Sequence, residues 1–567
     1  RQMCIRDSDL PLDTIWSDID YMVDYEDFTI DEKRFPLNDM NAILENYHYI
    51  PIIDAGIKVN NGTAYTEGKK RGVFVKDPNG DELLGKVWPG TTTFVDFFNP
   101  NATQYWEDML DLLYQKVNFS GVWLDMNEYA NFCDGPCTTP TGASTFDYSK
   151  DLPYNPGNDS IEAHTIPLNS THYNNLKEAD VHAYGALLET YATNKFLKSK
   201  GKRPFIISRS SALGSHLYGF HWTGDNYANF DFLKGSIADN FNNQLWGMQM
   251  VGPDICGFGG NTTEELCSRW FQIGALYPFA RNHNANDAID QEPYNLGSKV
   301  MLSAKTNLHL RYSLLKFYYA QFIYTKGLNG IFKPVFFVFP LDNNLYLDEI
   351  ADTQFMIGNI LMSAPILEAG KTGRNVYFPD AQWYDFHTGA VHKQGTETIS
   401  NVKITDKVPL FLRNGKGLMI QNTTGVHQTK DLNDNYRLVV GMKKDDSRSN
   451  STYQYYTAFA THLSIENYFN DQNIQGCISG GCDYTFNIYF TVNDGQRRLE
   501  LDIGYTGNAI LMGTIYLEAI SIYYDGSVID NTLEQVIKIN RPMRVTVPVS
   551  DQSSRESIWK KKLTAEE

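Results

Sequence analysis

The strongest constraint on this chain is a change of texture near residue 330. Before it, short apolar runs alternate with segments of helical period. After it, short strands follow one another with only turns between them. The strand-like runs of the first part lie at residues 14–18, 49–54, 121–125, 205–209, 252–256 and 277–281. Over residues 101–117, Trp106, Met109, Leu110, Leu113 and Val117 share one helical face. Ala183, Leu187 and Tyr191 mark a second helix, and residues 299–326 a long third one closed by Gly327. Such alternation calls for parallel strands joined by helical crossovers. Asp18, Asp54, Asp125 and Arg209 each close an apolar run. Charged residues at C-terminal strand ends are where a (β/α)8 barrel gathers its active site. No glycine-rich phosphate loop follows any of these runs, which tells against a dinucleotide-binding sheet.

The expected architecture is therefore α/β. A (β/α)8 TIM barrel occupies residues 1–330 and is interrupted by an inserted loop at about 127–176 that is rich in Cys, Gly, Pro, Ser, Thr and Asn. Two all-β sandwich domains follow, at 331–427 and 428–567, with candidate strands at 333–340, 361–365, 375–379, 410–412, 484–491 and 545–549.

Charge and composition narrow the partners. A formal net charge of −18 argues against nucleic acid or an anionic membrane, since both select a basic face. No run of 18 or more apolar residues is present to span a bilayer, and the longest apolar stretch, 335–340, is strand-sized. Aromatic residues make up 13% of the chain, which suits either a large core or a platform for sugar rings. Three cysteine pairs are close in sequence: Cys133/Cys137, Cys256/Cys267 and Cys477/Cys482, with Cys4 left over. None has the paired CxxC spacing of a zinc site. Asn-X-Ser/Thr triplets occur at Asn61, Asn101, Asn118, Asn158, Asn169, Asn261, Asn422 and Asn450. Together with the paired cysteines they point to the oxidising secretory pathway, secreted or lysosomal. The chain opens on Arg1 rather than Met and reads as an internal piece of a longer protein.

Two aspartates carry the chemistry. Asp125 ends the run GVWLD and precedes Met126, Asn127 and Glu128; Asp225 lies in the segment FHWTGDN at 220–226. Each has a tryptophan nearby, Trp123 and Trp222. Two carboxylates from different strand ends, walled by aromatics, are what glycoside hydrolysis requires. An aspartate at a strand end can equally cap the helix that follows.

The stretch WLDMNE at 123–128 resembles the nucleophile signature of glycoside hydrolase family 31, the α-glucosidase family. Further segments match in the expected order: WSDIDYM at 16–22, VWPG at 87–90, SRS at 208–210, HWTGDN at 221–226, PDICGF at 253–258 and YPFARNH at 277–283. The resemblance covers roughly residues 9–425. It implies that Asp125 is the nucleophile and Asp225 the general acid/base. It also implies that Asp18, Arg209 and His283 clamp the hydroxyls of the bound sugar, with Ile19, Ile57, Trp88, Trp123, Met126, Trp222 and Phe258 lining the pocket and Asp254 supporting it. Cys256 and Cys267 would form the family's local disulfide; Cys133/Cys137 lies in the inserted loop. No metal or organic cofactor is implied.

On this basis Arg209 should favour the ionised form of Asp125, and Asp225 must hold its proton until the leaving group departs. The implied activity is retaining, exo-acting α-glucosidase on maltose-type oligosaccharides. An α-xylosidase, a transglucosylase or a non-catalytic carbohydrate-binding relative are the alternatives. The chain departs from the family pattern in three places. The opening residues RQMCIRDS match nothing and the barrel begins at its second strand; Lys333-Pro334-Val335 stands where relatives have Arg-Pro-Leu; and the region of His182–Gly185 is shortened.

Overall fold

The computed structural model describes residues 8–133, 137, 163–325, 330–433, 435–444, 452–461, 483–493, 496–506, 515–524, 527–539 and 543–548. Cys4, the pair Cys477/Cys482, the triplets at Asn158 and Asn450, and Gly327 lie outside the described residues. The chain divides into two compact units, Asp13–Trp222 and a second built from Arg1–Leu12 with Thr223–Glu567.

In the first unit the strands are β1 (Thr14–Ser17), β2 (His48–Asp54), β3 (Gly56–Lys58), β4 (Gly85–Val87), β5 (Gly90–Phe94), β6 (Val122–Asp125), β7 (Ile206–Ser208) and β8 (Phe220–Trp222). Five of them pair in parallel in the order β1-β2-β6-β7-β8. Their register matters for function. Asp54 stands opposite Asp125, and Leu124 opposite Ser208, so that Asp54, Asp125 and Arg209 leave three neighbouring strands at one end of the sheet. Burial of β2 and β6 on both faces explains their unbroken apolar character.

The helix Ala102–Tyr114 turns its predicted apolar face inward, burying Trp106, Met109, Leu110 and Leu113. Trp106 meets Phe28 and Phe97 edge-on at 5.3 and 5.2 Å. Its ring N–H donates to Thr193 Oγ1 at 2.9 Å, which ties this helix to the helix Tyr184–Ser199 and satisfies the one polar atom of the ring. One feature departs from simple strand–helix alternation: β3, β4 and β5 form a small antiparallel sheet between β2 and this helix. Its strands are three to five residues long, too short to show a period in the sequence.

In the second unit two expected strands are corrected. The run 252–256 is broken by Pro253 into β9 (Val251–Gly252) and β10 (Asp254–Ile255), because proline has no N–H for the ladder. The run 277–281 is mostly a turn after the helix Glu264–Gly274. Tyr277 instead hydrogen-bonds Ser236, and only β11 (Arg281–Asn282) pairs, in parallel with β10. The helices Phe230–Leu245, Glu264–Gly274 and Ser298–Thr325 bury Ile237, Trp270, Phe271 and Leu314 in one apolar cluster. Asn229 and Thr263 cap the first two, accepting from Phe232 N–H at 2.9 Å and Leu266 N–H at 3.2 Å.

Beyond residue 330 the unit is β-rich. A third correction falls here: the expected strand 333–340 is the strand Phe332–Pro334 followed by a 3-10 turn, Val335–Phe337. Pro334 ends the ladder, and the Val335 carbonyl accepts from both Val338 and Phe339. The strand Phe332–Pro334 joins a six-stranded sheet, and sheets of four and five strands follow among the described residues. No helix among the described residues is long and apolar enough to cross a membrane.

Candidate active site

In the first unit the candidate residues stand at the ends of β1, β2, β6 and β7. Asp18 follows β1 and caps a short 3-10 turn, its Oδ1 accepting from Ile19 N–H at 2.7 Å; both residues are half-buried. Ile57 in β3 is buried. Trp88 sits in the tight turn between β4 and β5, 47% exposed, with Phe132 edge-on at 5.0 Å. Trp123 and Trp222 are buried and meet edge-on at 5.4 Å behind the strand ends. Asp125 and Met126 are each less than a tenth exposed.

The charge at these strand ends centres on Arg209. Its Nη1 lies 2.9 Å from Asp125 Oδ1. A cation at this distance favours the carboxylate over the acid. Asp125 Oδ1 also accepts from Met126 N–H at 2.7 Å. Asn127 joins the two strand exits: its Oδ1 accepts from Ser210 N–H at 2.9 Å and its Nδ2 donates to Ser208 Oγ at 2.7 Å. His221 is held neutral, pushed down to about 4 by burial, with Nδ1 donating to the Ser208 carbonyl at 3.0 Å.

Beneath this rim lie carboxyls that the sequence reading gave no role. Asp54 is 1% exposed, and neither of its oxygens finds a hydrogen-bond partner among the described residues. Its backbone N–H donates to Asp27 Oδ1 at 2.9 Å. Burial, then the charges of Asp27 and Asp125, lift Asp54 well above the usual carboxylate range, and burial does the same for Asp27. Glu189, on the buried face of the helix Tyr184–Ser199, is likewise lifted by burial. A further buried group pins residues 163–178: His172 Nδ1 lies 3.0 Å from Asp96 and Nε2 2.6 Å from Glu178. Burial opposes charge on His172, but these hydrogen bonds outweigh it and lift the imidazole to about 9.

In the second unit the candidate residues lie on three loops that hydrogen-bond one another. Asp225 is exposed and follows Gly224, whose φ of 73° disfavours any side chain. The Asn226 carbonyl accepts from Phe258 and Gly259 N–H at 2.8 and 3.0 Å, and its Nδ2 donates to the Asp254 carbonyl at 3.0 Å. Gly257 makes this approach possible, since a Cβ there would lie 2.4 Å from the Ala228 backbone. The Cys256–Cys267 disulfide fixes the same loop to the helix Glu264–Gly274. Phe258 and His283 rings lie 5.3 Å apart, and Gln291 Nε2 donates to the His283 and Gly257 carbonyls at 2.9 and 3.2 Å. Asp254 is fully buried: Arg281 Nη2 and Nε reach its Oδ1 at 2.6 and 2.9 Å. A second disulfide joins Cys133 to Cys137 in the first unit. Among the described residues no group of three or more His, Cys, Asp and Glu could hold a metal ion.

Residues 4–321 match the glycosyl hydrolases family 31 TIM-barrel domain, and residues 329–417 the family 31 C-terminal domain. The chain belongs to glycosyl hydrolase family 31. Among curated relatives, the lysosomal acid alpha-glucosidase of Tetrahymena pyriformis is 37% identical over 549 residues, covering 87% of this chain and 58% of that protein. The lysosomal alpha-glucosidase of Rattus norvegicus is 38% identical over 406 residues, covering 68% of this chain and 41% of its own length. The chain spans about half the length of the curated relatives it matches. A crystal structure of glucosidase II alpha subunit (Glc1Man2-bound) shares the fold at a TM-score of 0.73 and 24% identity, over 97% of this chain and 58% of that one.

Proposed function

We propose that this family 31 protein is a retaining, exo-acting α-glucosidase that removes terminal glucose from α-linked, maltose-type oligosaccharides. The observation that carries the proposal is the Arg209–Asp125 contact of 2.9 Å at the ends of adjacent parallel strands, with Trp123 and Trp222 packed behind it. In this reading Asp125 attacks the anomeric carbon while Asp225 donates a proton to the leaving oxygen. Once the glycosyl ester forms, the charge on Asp125 is gone. Asp225 then takes a proton from the water that releases the sugar with its configuration retained. Asp18, Arg209 and His283 hold the sugar hydroxyls, and Trp88, Met126 and Phe258 close around the ring. Asp254 acts from behind, through its buried pair with Arg281.

A secretory or lysosomal setting is part of the same proposal. It is supported by the two disulfides and by the exposure of Asn61, Asn101, Asn118, Asn261 and Asn422, five of the candidate glycosylation sites. The test is to incubate the full-length protein with maltose and an aryl α-glucoside and follow the first anomer released. α-Glucose is expected. Initial release of β-glucose, or undiminished turnover by Asp125→Ala, would remove the assignment.

A further inference from the structure

Beyond Asp125 the chain leaves β6 through two residues in the left-handed region, Met126 at φ 55° and Tyr129 at φ 60°. Such a conformation costs about 1–3 kcal/mol at a residue other than glycine and persists only where neighbours over-determine it. Here the neighbours are visible. Asn127 is bonded to Ser208 and Ser210, and the Tyr129 hydroxyl donates to the Val95 carbonyl at 2.8 Å. The effect of this turn is to bring Glu128 back onto Arg209. Glu128 Oε1 accepts from Arg209 Nη2 at 2.6 Å and Oε2 from Nε at 3.2 Å. This side-on grip takes the Nε–Nη2 edge of the guanidinium and leaves Nη1 directed at Asp125. Met126 Sδ lies 3.1 Å from the same Nη2.

We propose that Glu128 is a positioning residue for the nucleophile: it fixes the guanidinium plane of Arg209 and takes part of its charge, so that Asp125 is both oriented and only partly neutralised. The proposal rests on the reading of Asp125 as nucleophile. It follows from charge balance as well as geometry. One guanidinium is shared by two carboxylates, Asp125 and Glu128, and the buried carboxyls Asp54 and Glu189 feel the charge of Asp125. A lone Arg209 would pair wholly with Asp125 and weaken it as a nucleophile. A free-swinging Arg209 would not orient it at all. Bidentate carboxylate–arginine contacts supply the directional hold that a lysine or a water cannot.

The test uses the full-length protein, with kcat and KM on an aryl α-glucoside across acid and neutral pH. Covalent labelling of Asp125 by an epoxide glucose analogue is followed in parallel. Glu128→Gln keeps an acceptor but removes the charge. It should move the acid limb of kcat/KM to lower pH by about half to one unit, since Arg209 then favours ionised Asp125 undivided. Glu128→Ala releases the guanidinium and should lower kcat by about 100-fold, with KM also raised because Arg209 is read as a clamp on the sugar hydroxyls. Two results would overturn the proposal: an acid limb that stays in place or moves upward in Glu128→Gln, or a Glu128→Ala protein that labels and turns over at the wild-type rate. If the wild-type protein itself is neither labelled nor active, the functional reading fails instead, and the two failures are distinct.

Discussion

Two of the arginine–carboxylate contacts among the described residues make an instructive pair. Arg209 meets Asp125 at 2.9 Å and Arg281 meets Asp254 at 2.6 Å, each at the edge of a short strand. The side chains of the second pair are 2% and 0% exposed; those of the first are 21% and 12% exposed, with Glu128 as a third member. The sealed pair gives up hydration completely and can exchange nothing with a ligand. The open pair keeps one face toward solvent and shares its cation between two anions. Under the proposed function the same chemistry serves shape in one place and reactivity in the other, and burial separates the two pairs.

That separation can be broken by substitution. The largest effect belongs to Asp125→Asn, which should reduce kcat by at least about 10⁴-fold while leaving Tm within a degree or two of wild type. A parallel fall in Tm would mean that Asp125 is structural. Next comes Arg281→Leu. Removing one partner of a buried pair leaves an uncompensated charge, at a cost of about 3–5 kcal/mol, so thermal unfolding should shift down by several degrees. An unchanged Tm would erase the distinction between the pairs. Arg209→Lys replaces a fork with a point charge; kcat should fall about 100-fold with stability nearly intact, as read by paired kinetics and calorimetry.

The smallest effect sharpens the comparison from below. Asp27, Asp54 and Glu189 are buried with their affinity for protons raised, so above about pH 4 the native state holds more protons than the unfolded chain. Stability then falls as pH rises through that window. His172, lifted to about 9, adds a loss in the same direction between its ordinary value and 9. These groups favour a higher melting temperature at pH 5 than at pH 8, against the opposite contribution of His221, which adds stability as pH rises from about 4 toward its ordinary value; Asp54→Asn, which cannot ionise, should lower the advantage at pH 5. An advantage that is unaltered in the variant would show that Asp54 is already ionised in the native state.

How much of this was readable from residues alone varies with the physics involved. Asp18, Asp54, Asp125 and Arg209 stood out because each closes an apolar run, and the parallel register of β2, β6 and β7 gathers the last three at one end. Glu128 was in plain view beside Asp125, but its reach to Arg209 depends on the left-handed turns at Met126 and Tyr129, which no spacing rule contains. Glu189 left a fainter trace, a carboxylate on the face that also buries Ala186, Thr193 and Leu197. Asp27 left none, since it meets Asp54 only through tertiary folding. The strand expected at 333–340 failed because hydrophobicity marks burial rather than ladder pairing, and Pro334 interrupts the pairing.

Under the proposed function Asp125, oriented by Arg209 and Glu128, forms the covalent bond to the sugar. The most direct measurement is incubation of the full-length protein with an epoxide or aziridine analogue of glucose, followed by peptide mapping by mass spectrometry. A single adduct on Asp125, lost in Asp125→Asn and slowed in Glu128→Ala, is the predicted result. Turnover of an α-glucoside by a protein whose adduct maps to another carboxylate would contradict it.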